Sequence, residues 1–362
     1  MSKLYKLGVV IGRFQPVHTD HIEQIIIPAL VQSEKVVVIL GSCNQPQTIK
    51  NPFTVEERKR MIVRAIYAHF KNSAHGGPNL KNLHFAEAVD FPYDNNRWRA
   101  QILRFAHQCE SDDSSIALFG AEKDASSFYL KMFPLWSLEA PQGLGNGHGA
   151  TAIRTWIFER LEEEDCEEWA DGVLSAIGLP RTNLPIIREW LAMKIGQDLQ
   201  AEYNYIKNYK KQFEDYPYPP VFHTVDNVVL YNGYILLIER RAAPGKGLWA
   251  LPGGFINANE WVFTAAMREL AEETGLKAKR EWYNPEGKMF DDPNRSQRGR
   301  TITTAYLCVV PSRFPAPSVK GMDDASKAKW FPLDKVLGDR PEMGPFMFED
   351  HLDIIREMVE RA

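Results

Sequence analysis

Apolar residues fall in short unbroken runs through the first part of the chain and in broken, alternating runs through the last part. Leu7-Gly8-Val9-Val10-Ile11-Gly12 and Val36-Val37-Val38-Ile39-Leu40 are too short for buried helices and read as strands covered on both faces. Leu83-His84-Phe85-Ala86 and Ser115-Ile116-Ala117-Leu118-Phe119-Gly120 read the same way. Between these runs, apolar positions recur at helical spacing and predict helices over 19–32, 56–70 and 96–109. Buried strands alternating with helices specify a parallel, doubly wound α/β sheet. Residues 151–210 are largely helical by pattern, with Pro180 and Pro185 as punctuation. Tyr216-Pro217-Tyr218-Pro219-Pro220 then stiffens and breaks the chain. Beyond it, 224–230, 234–240 and 301–310 read as strands around an acidic helix, an α+β texture unlike the first half. The expected organisation is a domain over 1–185, a helical, Pro-rich linker over 186–220 and a second domain over 221–362.

Composition agrees with this division and removes some functional classes. A chain of 362 residues exceeds one average domain. Its 44% hydrophobic and 25% charged residues are ordinary for a soluble globular protein. A net charge of −4 argues against a generally basic nucleic-acid-binding surface. No long apolar segment follows Met1, and charged residues interrupt every apolar run, so a cytoplasmic chain without a membrane span is expected. Cys43, Cys109, Cys166 and Cys308 lie far apart with no C-x-x-C pair, as reduced thiols do, which excludes a disulfide framework or a zinc site.

The acidic helix carries the most specific pattern in the chain. Gly254 is followed after five residues by Glu260 and, after seven more, by Arg268-Glu269-Leu270-Ala271-Glu272-Glu273-Thr274-Gly275-Leu276. On a helix, Glu269, Glu272 and Glu273 are related by i,i+3 and i,i+4, so their carboxylates leave one face. Crowded like charges destabilise a bare helix, and a hard divalent cation with oxygen ligands removes that penalty. A solvated acidic helix face is the plain alternative, and it does not account for the fixed glycines and arginine around the carboxylates. The stretch fills every fixed position of the Nudix box and so resembles the Nudix hydrolases, which cleave a nucleoside diphosphate linked to another group. The resemblance implies Glu269, Glu272 and Glu273 as ligands of Mg²⁺, for which Mn²⁺ can substitute, with the Gly253 carbonyl as a further ligand. Glu260 and Arg268 would orient those ligands, and the general base would be Glu273 or a residue of the loop 321–326. Arg240, Arg241, Arg298 and Arg300 are each either a phosphate contact or a surface charge.

In the first domain the first strand runs into Gly12-Arg13-Phe14-Gln15-Pro16-Val17-His18-Thr19-Asp20-His21. Two histidines flank the start of a helix, where free backbone N–H groups and the macrodipole favour anions. Arg13 adds a bidentate donor, and Pro16 fixes the loop backbone. This segment resembles the signature of the archaeal-type nicotinamide mononucleotide (NMN) adenylyltransferases, in the HxGH nucleotidyltransferase superfamily. Lys50-Asn51-Pro52-Phe53-Thr54 resembles that family's phosphate-side loop, and Asp90, Tyr93, Asn95, Asn96 and Trp98 its nicotinamide segment, with Trp98 as the stacking platform. Gly120 with Lys123-Asp124-Ala125-Ser126-Ser127 and Ala150-Thr151-Ala152-Ile153-Arg154 match two further segments in order. The resemblance implies catalytic roles for His18, His21 and Arg154. It implies substrate contacts from Arg13, Phe14, Lys50, Asp90, Asn95, Trp98, Gly120, Lys123, Asp124, Thr151 and Ile153. Two positions depart from the pattern. Asp20 replaces the glycine of HxGH, and His148-Gly149 replaces an Ile-Ser pair. The run Gly143-Leu144-Gly145-Asn146-Gly147-His148-Gly149 is expected to be a mobile loop that closes over ATP.

Taken end to end, the chain resembles bifunctional proteins that join an NMN adenylyltransferase to a Nudix hydrolase of ADP-ribose pyrophosphatase type. The implied fold is an N-terminal Rossmann-like nucleotidyltransferase domain and a C-terminal α+β Nudix domain, an α/β/α sandwich. The implied chemistry is adenylyl transfer from ATP to NMN, giving NAD and pyrophosphate, and metal-dependent hydrolysis of ADP-ribose to AMP and ribose 5-phosphate. The implied partners are ATP, NMN and ADP-ribose, with no nucleic acid and no membrane, and the resemblance is compatible with a homo-oligomer. Two alternatives stand beside it. Asp20 would silence the transferase and leave that domain as a scaffold, or the chain would be an ADP-ribose-sensing regulator. The second needs a winged-helix segment, for which about ten residues after Asp350 are too few.

Overall fold

The computed structural model describes residues 3–71, 80–122, 125–141, 149–160, 172, 174–338 and 342–360. The chain divides into two compact units, 1–200 and 201–362. The first is built on five parallel strands, β1 Tyr5–Gly12, β2 Ser33–Leu40, β3 Leu83–Glu87, β4 Ile116–Phe119 and β5 Ser137–Glu139, in the order β3-β2-β1-β4-β5. Val9 pairs with Val37 on one side and Leu118 on the other, and these buried residues join Leu7, Ile39 and Ile116 in one core. The chain steps outward from β1 to β3, then returns to place β4 on the far side of β1. At that reversal the loops leaving β1 and β4 diverge, which opens a crevice at the carboxyl ends of the strands.

The helices of this unit start where the side chains allow. Helix α1 Ile27–Gln32 is preceded by a π-helical turn, His21–Ile26, where the sequence pattern predicts one continuous helix. Pro28 has no N–H to offer the carbonyl of the preceding turn, so that turn widens and Ile27 N–H reaches Ile22 instead. Helix α2 Val55–Phe70 opens on a capping box, with Thr54 and Glu57 bonding each other's backbone N–H groups. Helix α3 Asn95–His107 is capped by Asp94, and α4 Ala150–Arg160, α5 Leu184–Ala192 and α6 Lys194–Lys211 follow.

The second unit has a mixed sheet. Its strands are β6 Phe222–Tyr231, β7 Tyr234–Arg240, β8 Trp249–Ala250, β9 Gly253–Phe255, β10 Lys288–Phe290, β11 Thr301–Val309 and β12 Ala325–Pro332. The main path is β10-β11-β6-β7-β12, with β11 and β6 parallel and the other pairs antiparallel. Four of these seven strands go beyond the three expected from sequence; β8, β9 and β10 are too short to show a period of two. Helix α7 Val262–Thr274 buries Ala265, Ala266 and Leu270 against Val225, Val229 and Leu236, while α8 Leu333–Leu337 and α9 His351–Val359 complete the unit. Gly275, with φ of +73°, ends α7 in a left-handed cap.

Candidate active sites

In the first unit, the site begins with a bulky residue held in an unusual backbone shape. Phe14 has φ of +52°, which folds its ring back over Gly12, where a Cβ would lie 2.9 Å from the ring. The same ring meets His21 edge-on at 5.0 Å, and His21 stacks on the buried His18 at 3.6 Å. The His18 backbone N–H also faces Nδ1 of His21 at 3.4 Å. Gln15 pins this loop to its neighbour: its amide donates to the Phe53 carbonyl at 2.8 Å and accepts from the Phe53 N–H at 2.9 Å. Arg58, fully buried, donates to the carbonyls of Arg13 and Gly41 at 2.8 and 2.7 Å and so ties α2 to the ends of β1 and β2.

Two arginines converge on this loop. Arg154 in the first turns of α4 donates to the Gln15 carbonyl at 2.7 Å and to the Thr151 hydroxyl at 3.1 Å. Burial, then repulsion from Arg13, lowers its pKa to about 10, so it stays charged at neutral pH. Arg13 reaches Asn51, beside Lys50, at 3.4 Å. A loop with stacked imidazoles, two guanidiniums and a helix start is suited to a polyphosphate. Asp20 accepts from Gln24 at 3.5 Å, within its own helix.

The other expected residues are distributed along the same carboxyl edge of the sheet. Asp90 accepts from the Ser42 N–H at 3.1 Å and joins the ends of β2 and β3. Trp98 is half-buried on α3, edge-on to Tyr129 at 6.0 Å, while Asn95 stands exposed at the start of that helix. Gly120 follows β4, and its N–H donates to Glu139. Ile153 is fully buried, so its side chain serves the core and only its backbone faces the helix start. Lys123, Asp124 and the loop 142–148 lie outside the described residues.

In the second unit one buried amide fixes the helix of carboxylates against the strand before it. Asn227, with no exposed surface, donates through Nδ2 to the carbonyls of Pro252 and Ala266 at 3.1 and 2.9 Å, and its Oδ1 accepts from the Tyr283 hydroxyl at 3.0 Å. That holds α7 beside Gly253 and Gly254. Glu273, 4% exposed, then accepts from the Gly253 N–H at 2.8 Å. Burial, opposed by that bond and reinforced by the charge of Glu269, pushes its carboxyl up to about 8. Glu269 is raised as well, by burial first and by the neighbouring Glu272 and Asp323. Arg268 is the counter-charge: it forks onto Glu260 at 2.8 and 2.9 Å, and its Nη1 donates to Glu269 and Glu272, both at 2.8 Å. Its Nη2 also donates to the Phe255 carbonyl at 3.1 Å.

Among the described residues, no three His, Cys, Asp or Glu side chains converge closely enough to hold an ion as they stand. The expected trio of Glu269, Glu272 and Glu273 is split because Arg268 draws the first two onto its own nitrogen. The donor set still fits a hard divalent cation. Burial first, then neighbouring carboxylates, makes Glu269 and Glu273 resist ionising, and the bare α-carbon of Gly254 leaves room for the Glu269 carboxylate. The loop after Val319 is hooked to the end of α7 through Lys320 N–H to Thr274 and Met322 N–H to Glu273, which brings Asp323 to this edge. Of the four arginines, Arg241 donates to the Ala325 carbonyl and Arg300 pairs with Asp291. Arg240 lies 4.0 Å over the Phe348 ring, and Arg298 lies 5.0 Å over Phe255.

Several residues of the site escaped the sequence reading. Beneath Gly253, its partner Asp226 accepts from Thr303 at 2.6 Å, and Arg295 forks onto Asp350 at 2.9 Å while approaching Asp226 at 4.0 Å. His351 accepts the Leu251 N–H through Nδ1 at 2.9 Å, and burial drives its pKa down to about 3. Asp226 and Asn227 were the available signal: two adjacent polar residues inside a buried apolar strand need partners.

Comparison with known proteins extends over both units. A NUDIX domain profile matches residues 221–349, and a cytidylyltransferase-like profile matches residues 9–76. A nicotinamide/nicotinic acid mononucleotide adenylyltransferase of Acinetobacter baylyi is 31% identical over 202 residues, covering 55% of this chain and 95% of that protein. An ADP-ribose pyrophosphatase of Methanocaldococcus jannaschii is 33% identical over 147 residues, 41% of this chain and 77% of that one. The crystal structure of a bifunctional NMN adenylyltransferase/ADP ribose pyrophosphatase from Francisella tularensis, complexed with AMP and a Mn ion, superposes with a TM-score of 0.83. It is 32% identical and covers 99% of each chain.

Proposed function

The chain belongs to the family of bifunctional NMN adenylyltransferases/ADP-ribose pyrophosphatases, and on that premise we propose how its residues divide the two reactions. The first unit joins NMN and ATP into NAD and pyrophosphate. The second hydrolyses ADP-ribose to AMP and ribose 5-phosphate. The observation that carries the reading is the Glu273–Gly253 and Glu269–Gly254 arrangement in a chain that also holds the stacked His18–His21 pair on the loop that Arg154 binds through the Gln15 carbonyl.

For the transfer, an oxygen of the NMN phosphate attacks the α-phosphorus of ATP, and the bond to the bridging oxygen breaks as pyrophosphate leaves. The protein's task is to align the two groups and to neutralise the departing charge. His18 and His21 donate to the phosphates, and Arg154, Arg13 and Lys50 supply positive charge. Thr151 and the amides at the start of α4 hold the terminal phosphates. Trp98 offers its indole face to the cationic pyridinium ring, with Asn95 and Asp90 at the same edge. The Asp20 carboxylate bonds to Gln24, which favours a working transferase over a silenced one.

For the hydrolysis, a water oxygen attacks one phosphorus of the diphosphate and the P–O–P bridge breaks. A divalent ion, for which we propose Mg²⁺, polarises the diphosphate and acidifies that water when bound. Glu269, Glu272, Glu273 and the Gly253 carbonyl would hold it. Arg268, anchored by Glu260, holds Glu269 and Glu272 and would position them for the ion. Substituting Glu273→Gln is expected to abolish AMP release from ADP-ribose with Mg²⁺ while NAD synthesis from NMN and ATP continues. AMP release by that variant at the wild-type rate would sink the assignment of Glu273.

A further inference from the structure

Aromatic rings run in contact from helix α6 to the cradle of Glu269. Tyr209 meets Phe213 at 5.4 Å and Phe222 at 6.1 Å, Phe213 meets Phe222 at 5.4 Å, and Phe222 meets Phe255 at 5.8 Å with the rings 71° apart. Edge-to-face contacts of this kind hold each ring in a fixed orientation. The inner rings are partly covered, but Phe255 remains 39% exposed. Its position makes that exposure informative. Phe255 directly follows Gly254, whose α-carbon lies against the Glu269 carboxylate, and its carbonyl accepts from Arg268. Across the ring stands the Arg298 guanidinium at 5.0 Å, with its Nε buried and without a hydrogen-bond partner.

We propose that Phe255, backed by Phe222 and faced by Arg298, forms the subsite that receives the nucleobase of the diphosphate cleaved beside it. A fixed ring with 39% of its surface exposed is a stacking platform for any planar base, which takes the place over the ring where the Arg298 guanidinium now lies. A base there leaves the diphosphate to run from Arg298 past Gly254 to the carboxylates of α7, one residue away along the chain. A ribose phosphate without a base has no π face and gains nothing from this platform. The nearby Arg298 supplies donors to the base edge or its adjoining phosphate. The proposal rests on the hydrolase reading of this unit and adds to it the part of the substrate that is recognised.

The test uses the full-length protein with ADP-ribose and Mg²⁺, and reads the inhibition constants of AMP and of ribose 5-phosphate against that hydrolysis. In Phe255→Ala, the AMP constant and the KM for ADP-ribose are expected to rise about 10-fold. The ribose 5-phosphate constant and kcat should stay within about 2-fold, and Phe255→Trp should restore the AMP constant. An unchanged AMP constant overturns the proposal, and so does an equal rise for both products, which would mark a structural defect or an unrelated surface patch. Absence of ADP-ribose turnover in the wild type would instead refute the hydrolase reading. In that event a crystal of the full chain with bound AMP decides the subsite: adenine on Phe255 supports it, and adenine elsewhere in the second unit removes it.

Discussion

Gly254 has no side chain, and a Cβ built there would lie 2.6 Å from Oε1 of Glu269 and 2.7 Å from its carboxyl carbon. A methyl group at this position must push the carboxylate out of the place it shares with Arg268. Displacement of about 1 Å at a reacting centre can cost about 100-fold in rate. Gly254→Ala is therefore expected to lower ADP-ribose hydrolysis by about that factor with little change in melting temperature, as steady-state kinetics and calorimetry can check. His351 makes a prediction of the opposite kind, on stability rather than rate. Its imidazole accepts the Leu251 N–H, and burial lowers its pKa from 6.5 to about 3. The folded protein holds it neutral, while the unfolded chain takes up a proton below its ordinary pKa. Its contribution is thus complete above about pH 6.5 and is lost as pH falls toward about 3. Unfolding measured across that window should show a steeper acid limb for the wild type than for His351→Gln. Equal limbs would remove His351 as the cause.

Elements take their places through single buried contacts more than through their own propensities. Strand β6 carries Asn227, which holds the Pro252 and Ala266 carbonyls and the Tyr283 hydroxyl at once. Asn227→Leu preserves volume but removes these side-chain bonds; the Pro252 carbonyl keeps the backbone N–H of residue 227, so the loss falls mainly on the buried Tyr283 hydroxyl, at a cost of about 2 kcal/mol. Chemical denaturation should register that loss, and the hydrolase should weaken with it because α7 loses its register to Gly253. Helix α7 was legible in the sequence because its carboxylates, its arginine and its glycines repeat at fixed spacings along one helix. The His18–His21 pair was legible for a similar reason, since both residues flank one helix start. What escaped notice was assembled from distant segments: Arg295 with Asp350 and Asp226, Gln15 with Phe53, Arg58 with Arg13 and Gly41. No local period announces such contacts. The π-helical turn at His21–Ile26 also follows from one residue, Pro28, acting on the turn before it.

At the scale of the whole molecule, each activity is expected to reside in its own unit. His21→Ala should lower NAD formation sharply in a coupled assay and leave ADP-ribose hydrolysis at its wild-type rate. Glu273→Gln should do the reverse, and a variant that loses both would show that the two units depend on each other. No described helix is long and apolar enough to cross a membrane. The Pro-rich stretch from Tyr216 to Pro220 looks like the natural seam, yet helix α6 begins at Lys194, and its residues from Ala201 onward belong to the second unit. Glu202 accepts the Gly245 N–H at 2.7 Å, and Tyr209 leans on Phe222. A gene split at the prolines would therefore not yield two whole enzymes. The downstream product would lack the wall behind its own stacking ring, so a viable fission point has to lie inside a helix, where chance breakage is rarely tolerated. That gives a mechanical reason for two such catalysts, once fused, to be inherited as one polypeptide.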